Sequence, residues 1–275
     1  MMIALPHLSA IKFSGVDAGN FLHNQLSADV LVLNDGETSF ACYCEPKGRV
    51  LALMLVGRMQ NDYYVILSAS LAALVTERLK IYVMRSDVEI SVLQGHIVIG
   101  LQASDIPAQT VDPTITLPIP GAEKFIGVSL PNEKITIEQA RADDWKTSEL
   151  QNGICWLGTE SSGQFLPQML GFEQLGAINY RKGCYPGQEI VARTHYLGKI
   201  KRFPRILTTQ NPIGAKPGEK ILLHSGEQSF EAVVADIIDQ ETKGSCALVV
   251  TRMNPELDID QVEFAGALNT AKAPG

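Results

Sequence analysis

The chain lacks the features that mark several large protein classes. It has no cluster of histidines and cysteines, no long apolar run and no internal repeat. Its longest apolar run, Val50 to Val56, is far shorter than the roughly 20 residues that a membrane helix needs. Met1 to Ala10 has neither a basic opening nor a long apolar stretch, which argues against a secretory signal. The expectation is therefore a cytoplasmic protein with no membrane partner. The five cysteines, Cys42, Cys44, Cys155, Cys184 and Cys246, are odd in number and scattered, against a disulfide framework and for a reducing compartment. Cys42-Tyr43-Cys44 would put two thiols on one strand face, but no further ligand accompanies them, so no metal is expected. Walker, dinucleotide and HExxH patterns are all missing, leaving nucleotide hydrolysis, Rossmann redox chemistry and zinc proteolysis without support. His7, His23, His96, His195 and His224 are dispersed. His195 is near enough in sequence to reach the Cys184 loop, yet spacing alone does not make a nucleophile–base pair.

What is present is an ordinary globular composition with an uneven charge. The 275 residues are 45% hydrophobic and 19% charged, with a formal charge of −7, enough chain for one large or two modest domains. From Arg181 to Arg205 stand seven basic residues (Arg181, Lys182, Arg193, Lys199, Lys201, Arg202 and Arg205) against one acid, Glu189. A basic island on an acidic body suits a local anionic ligand better than a nucleic acid, which normally meets a basic surface.

Periodicity divides the chain into mixed segments. Ile11 to Gly15 reads as a strand entering a turn, with Asp17 capping a helix whose apolar face holds Phe21, Leu22 and Leu26. Glu37 to Cys44 and Val50 to Val56 read as a hairpin across Glu45-Pro46-Lys47-Gly48. A strand over Tyr63 to Leu67 precedes a helix capped by Ser68 or Ser70, with a stripe of Leu71, Leu74, Val75, Leu79, Tyr82 and Val83. Val88 to Leu93 and His96 to Leu101 suggest a second hairpin turning at Gln94-Gly95. The proline-dense stretch 105–120 reads as a loop or inter-lobe connection. Lys124 to Leu130 is a strand, and a helix is expected from Thr136 through Trp145 to about Leu150. Gly158 to Leu170 should be irregular. After Phe203, short β-rich runs separated by glycines predict a small antiparallel barrel or sandwich, with a frayed tail from Gly266.

The most informative stretch is Tyr180 to Arg193. Gly183 and Gly187 allow positive φ and close approach to the main chain, while Pro186 stiffens the turn between them. Ile190, Val191 and Thr194 then fit a short helix ending near Gly198. A thiol ahead of a helix start, beside Arg181 and Lys182, is placed where positive charge and the helix dipole favour thiolate. Cys184 is thus the candidate reactive group, with Lys182 beside it.

Lys182-Gly183-Cys184-Tyr185-Pro186-Gly187-Gln188-Glu189 resembles the signature K-G-C-Y-x-G-Q-E of the YgfZ family, folate-binding proteins linked to iron–sulfur enzymes and tRNA modification. Gly163 to Gln168 and Gly198-Lys199-x-Lys201-Arg202 look like flanking family segments. Gly15 through Asp29 looks like an opening shared with the glycine-cleavage T-protein. The resemblance implies an α+β, T-protein-like folate-binding fold of interleaved lobes, ringed around a central channel, over residues 1–202. A C-terminal β-barrel would occupy 203–275. Tetrahydrofolate or a derivative is the implied cofactor, with Trp145 as a pterin platform and Tyr185, Gly187, Gln188, Glu189, Arg193 and Arg202 as further binding candidates. A second stacking tryptophan that some relatives carry is Leu8 here.

The function so implied is a folate-binding accessory protein for iron–sulfur enzyme assembly, repair or maintenance, and thereby tRNA modification. It would be transferase-like without classical turnover. Folate and iron–sulfur proteins are the expected partners, direct nucleic-acid contact is not expected, and the chain is expected to be a monomer. A true aminomethyltransferase is the first alternative, but Ala52 and Leu53 stand where such enzymes carry acids that orient or activate the folate nitrogen. A tRNA-binding factor is the second; the basic island allows it, but no aromatic–basic stacking motif accompanies it.

Overall fold

The computed structural model describes residues 2–103, 115–131, 135–136 and 138–271. Among them, four α-helices and sixteen strands form three sheets. The first two sheets interleave along the chain. β1 (Met2–Ala4) joins one of them, and the next strand, β2 (Leu8–Ser14), joins the other. β2 lies between β5 (Asp62–Ser68) and β6 (Glu89–Val92), beyond β3 (Thr38–Cys44) and β4 (Val50–Met59), in the order β3-β4-β5-β2-β6. β1 pairs antiparallel with β7 (Ile97–Gln102) and parallel with β10 (Ile135–Thr136), the one parallel ladder among the described residues. β9 (Lys124–Ser129) and β8 (Ile115–Pro118) complete that sheet.

The β3–β4 hairpin forms as expected, and β4 is buried on both faces along most of its length, as its continuous apolar run requires. The expected 88–101 hairpin does not form. The chain does turn at Gln94–Gly95, but β6 then pairs with β2 while β7 pairs with β1 and β9, in different sheets. Alternation identifies a strand without naming its partner. The stretch 105–120 is likewise not all loop, since β8 occupies Ile115–Pro118; Pro107 and Pro113 lie outside the described residues.

Helix α1 spans Ala18–Gln25. Asp17 sits at its N-cap, but the carboxylate accepts from the Asp87 amide (2.8 Å) rather than capping the helix. Helix α2 (Ala69–Val83) buries Leu71, Val75 and Leu79, while Leu74 and Tyr82 of the expected stripe face solvent. Helix α3 runs Gln139–Gln151, starting later than expected because Thr136 belongs to β10. Helix α4 is Gln188–Tyr196.

The C-terminal strands are β11 (Phe203–Thr208), β12 (Lys220–Ser225), β13 (Gln228–Gln240), β14 (Gly244–Thr251), β15 (Gln261–Phe264) and β16 (Ala267–Thr270). They form one antiparallel sheet in the order β11-β14-β13-β12-β15-β16. Among the described residues it is not a closed barrel: its two ends meet there at a single bridge between Thr209 and Ala271. The frayed tail expected from Gly266 is corrected as far as residue 271, because β16 pairs with β15 over four residues; residues 272–275 of that expectation lie outside the described ones. β14 is buried throughout. Cys246, Leu248 and Val250 enter the main core shared with the first two sheets, while Ala247 and Val249 face a smaller core within the C-terminal sheet.

A buried ion pair fastens this sheet to α3. A register shift in β13 between Val234 and Asp236 breaks the alternation. There the buried Asp236 carboxylate meets Lys146 Nζ at 2.8 Å and its neighbour Ile237 N at 2.8 Å. Burial raises the Asp236 pKa and Lys146 opposes the rise. Removing one partner strands the other charge, so Lys146→Met is expected to cost about 3–5 kcal/mol. The joint change Lys146→Met with Asp236→Leu should cost clearly less. Denaturant midpoints of the three proteins check this ordering.

Candidate functional site

The loop ahead of α4 is built from both ends. Asn179 Oδ1 accepts from the amides of Arg181 (2.8 Å) and Lys182 (3.1 Å), closing a turn that sends the Lys182 side chain inward. The buried ammonium donates to the carbonyl of His23 and, at 2.8 Å, to that of Leu26, at the C-terminal end of α1. It also lies 4.9 Å from the Tyr185 ring centroid. At the other end Gly187 has φ +84°, and a Cβ there would sit 2.4 Å from the Glu45 carbonyl oxygen and 2.7 Å from Gly48 Cα. The glycine is thus required both for its backbone conformation and for the approach of the β3–β4 turn.

Between these anchors Cys184 is exposed, while the other four cysteines are buried. Burial pushes the Cys42 thiol up to about 12 and raises Cys44, Cys155 and Cys246. Among the described residues no group of three or more His, Cys, Asp or Glu side chains could hold a metal.

Burial lowers the Lys182 pKa to about 8, with Asp29 and then Cys184 opposing the shift. His23 lies against the same loop: its Nε2 is 3.6 Å from the position a Cβ on Gly183 would take. Its Nδ1 is 3.0 Å from Asp29 Oδ1, an ion-pair contact that lacks the alignment of a hydrogen bond. His195 has other partners. It stacks on Tyr180 with centroids 3.8 Å apart, and its Nδ1 lies 2.8 Å from Glu173 Oε1, which also accepts from the Tyr180 hydroxyl.

The remaining sequence candidates are spread out. Tyr185 is buried, and burial raises its pKa. Gln188 is half-buried and its Nε2 donates to Lys182 O at 3.3 Å, tying helix to loop. Glu189 and Arg193 pair at 2.8 Å on the exposed face of α4. Arg202 lines a separate cavity of about 500 Å³ on the C-terminal sheet, with Arg252 and Phe230.

Trp145 is buried, with Gly100 so close that a Cβ there would lie 2.7 Å from the indole ring. Its Nε1 donates to Glu149 Oε1 at 3.0 Å, and Lys124 Nζ lies 4.9 Å from the ring centroid. The indole therefore supports a site rather than offering an open stacking face.

That site is a cavity of about 450 Å³, within the usual range for small-molecule pockets. Its apolar wall includes Ile119, Ile154 and Leu175, and its polar groups include Lys124, Ser148 and Glu149. Glu149 is buried, held by Trp145 on one oxygen and by His7 Nε2 at 3.1 Å on the other. Lys124 donates to Ser148 Oγ at 2.6 Å. The segment from Gln174 to Gly176 forms part of the wall. Gly176 also lines a neighbouring cavity with Asn179, Tyr180 and Arg181, so one short run of chain leads from this pocket to the Cys184 loop. Sequence reasoning missed Glu149, Lys124 and His7. The one local signal was Trp145 and Glu149 at i, i+4 on α3.

No family model matches the chain. Among solved structures it is similar to the glycine cleavage system aminomethyltransferase T from Bartonella henselae, with a TM-score of 0.72 and 14% identity. The match covers 99% of this chain and 85% of that one. Sequence identity is low, so the likeness is one of architecture: the chain has a T-protein-like fold.

The lowered Lys182 pKa has a signed consequence. Between about pH 8 and the ordinary lysine range the unfolded chain holds this proton and the folded one does not, so stability rises with pH through that window. Lys182→Met should remove this contribution. Denaturation midpoints from pH 7 to 10 should show the wild type gaining on the variant as pH rises; parallel curves would refute it.

Proposed function

We propose that this is a folate-binding protein in which the pterin end of the ligand occupies the Glu149 cavity and Cys184 is a separate reactive group. The observation that carries the reading is a buried carboxylate in a largely apolar pocket. A pterin presents a flat apolar body and an edge of N–H donors, and a buried, pre-oriented carboxylate is the acceptor such an edge needs. Ile119, Ile154 and Leu175 would pack on the ring system, and Lys124 would supply a cation for an anionic part of the ligand. Arg193, one of several basic residues that the sequence offers as binding candidates, already pairs with Glu189.

A reduced folate carries one-carbon groups on its nitrogens; the residues of this chain bind and orient it. The resemblance of Lys182–Glu189 to the YgfZ signature supports the finer part of the reading, including the ring and central channel. In it, the protein serves the maintenance of iron–sulfur enzymes, and through them tRNA modification, with the Cys184 thiol as the working group. Aminomethyl transfer is disfavoured. Ala52 and Leu53 are buried on β4 opposite Tyr43 and Cys42, with no carboxylate at either position.

Titration with 5-formyltetrahydrofolate, followed by calorimetry, tests the binding step. Glu149→Gln should weaken it about tenfold or more, as loss of a charged hydrogen bond does, while Cys184→Ser leaves it unchanged. A wild-type protein that takes up no folate would overturn the proposal. In cells, Cys184→Ser should lower the activity of iron–sulfur enzymes; unchanged activity would remove the thiol from the function.

A further inference from the structure

We propose that the cavity on the C-terminal sheet is a second ligand site, built for a phosphate monoester carried on a flat apolar body, such as a nucleoside monophosphate. This site goes beyond the folate reading and does not depend on it. The cavity holds about 500 Å³, within the range of small-molecule pockets, and its lining includes Arg202, Arg252, Phe230, Val233, Val250 and Glu231. Strand register explains why two cations meet there. The β11–β14 ladder ends with Phe203 opposite Thr251, so Arg202 and Arg252 leave its last rung together. Like charges across a ladder repel, and the protein supplies no counter-charge: among the described residues neither guanidinium has a hydrogen bond or an ion pair. Glu231, the one carboxylate of the lining, stands beside Arg252 on β13, where Ala232 faces Thr251. Its partner, however, is Lys220 of β12, at 3.0 Å. Arg205, three residues after Arg202, shows the contrast, since its guanidinium donates to the carbonyls of Asn254, Pro255 and Leu257.

Two unpaired guanidiniums offer two positive charges and two planar donor forks. A phosphate monoester matches both, being close to a dianion at neutral pH with three strong acceptor oxygens. A single carboxylate would fill one fork and leave the other charge unmet. Phe230, Val233 and Val250 add an apolar wall beside the cations, and an aromatic base can stack on such a wall. Arg252 is exposed and Arg202 half-buried, so a ligand reaches both from solvent.

Calorimetric titration of the native protein with adenosine 5′-monophosphate, in the absence of folate, tests the site. Wild type should take up one equivalent. Adenosine and inorganic phosphate, each carrying one half of the ligand, should bind about tenfold more weakly or worse. Arg202→Gln and Arg252→Gln should each weaken the nucleotide about tenfold or more. Arg252→Lys should recover only part of that loss, because a point charge replaces a fork. Saturating 5-formyltetrahydrofolate should leave nucleotide uptake unchanged. Absence of uptake, or an Arg252→Gln protein that binds like wild type, overturns the proposal. Full recovery in Arg252→Lys also overturns it, reducing the patch to a diffuse basic surface, as does inorganic phosphate binding as tightly as the nucleotide. Displacement by the folate would assign the arginines to the folate tail instead. Thermal melts show whether each variant is folded, and the exposed Arg252 carries the test should Arg202→Gln fail to fold. Because uptake is read without folate, failure here is not confused with failure of the folate proposal.

Discussion

The Cys184 loop depends on one buried ammonium. A helix ends with carbonyl oxygens that have no partner within the helix and carry its partial negative charge. At the end of α1 the Lys182 side chain meets two carbonyls of this region, from His23 and Leu26, across more than 150 residues of intervening sequence. Withdrawing a charge from water is costly, and the lowered pKa of Lys182 records that cost. Two charge-assisted hydrogen bonds and the face of Tyr185 offset it. The result is a peg that leaves the neighbouring thiol facing solvent and draws the His23–Asp29 pair against the same turn.

The second organising feature lies at the junction of α3 with the sheets around it. Along this one helix, Trp145 and Glu149 face the first sheet and the cavity, while Lys146 reaches Asp236 on the C-terminal sheet. The helix thus carries both the polar floor of the pocket and the ionic fastening that joins the third sheet to the rest. Its burial comes from tertiary contact rather than from a strong amphipathic pattern, since most of its residues are polar. The approach of Trp145 to Gly100 shows the same economy: a bare backbone on β7 makes room for an indole whose N–H then fixes the carboxylate.

Much of this was legible in the sequence, and what was not has a common cause. The β3–β4 hairpin, α4 and the stiff cysteine turn rest on local signals: alternation, a helical stripe, and glycines and proline at close spacing. Partner choice is not local, so the turn at Gln94–Gly95 was visible while the assignment of β6 and β7 to different sheets was not. β16 escaped notice because Ala267–Thr270 is short and only partly buried, its strand character supplied by β15. At the site the same limit applies more sharply. His7 meets Glu149 from 142 positions away, and Lys182 reaches into α1 from the other half of the chain. Arg193, singled out by charge, proved to be paired along its own helix, whereas Lys124 lies in the pocket without a sequence pattern to mark it.

The claim on which the account turns is that the Lys182 ammonium couples the end of α1 to the cysteine loop as one unit. Amide hydrogen exchange of Lys182→Met against wild type measures that coupling directly. The account predicts that peptides covering residues 22–29 and 180–187 lose protection together, while those from β13 and β14 keep theirs. Unchanged protection at the loop, or loss confined to one of the two segments, would contradict it.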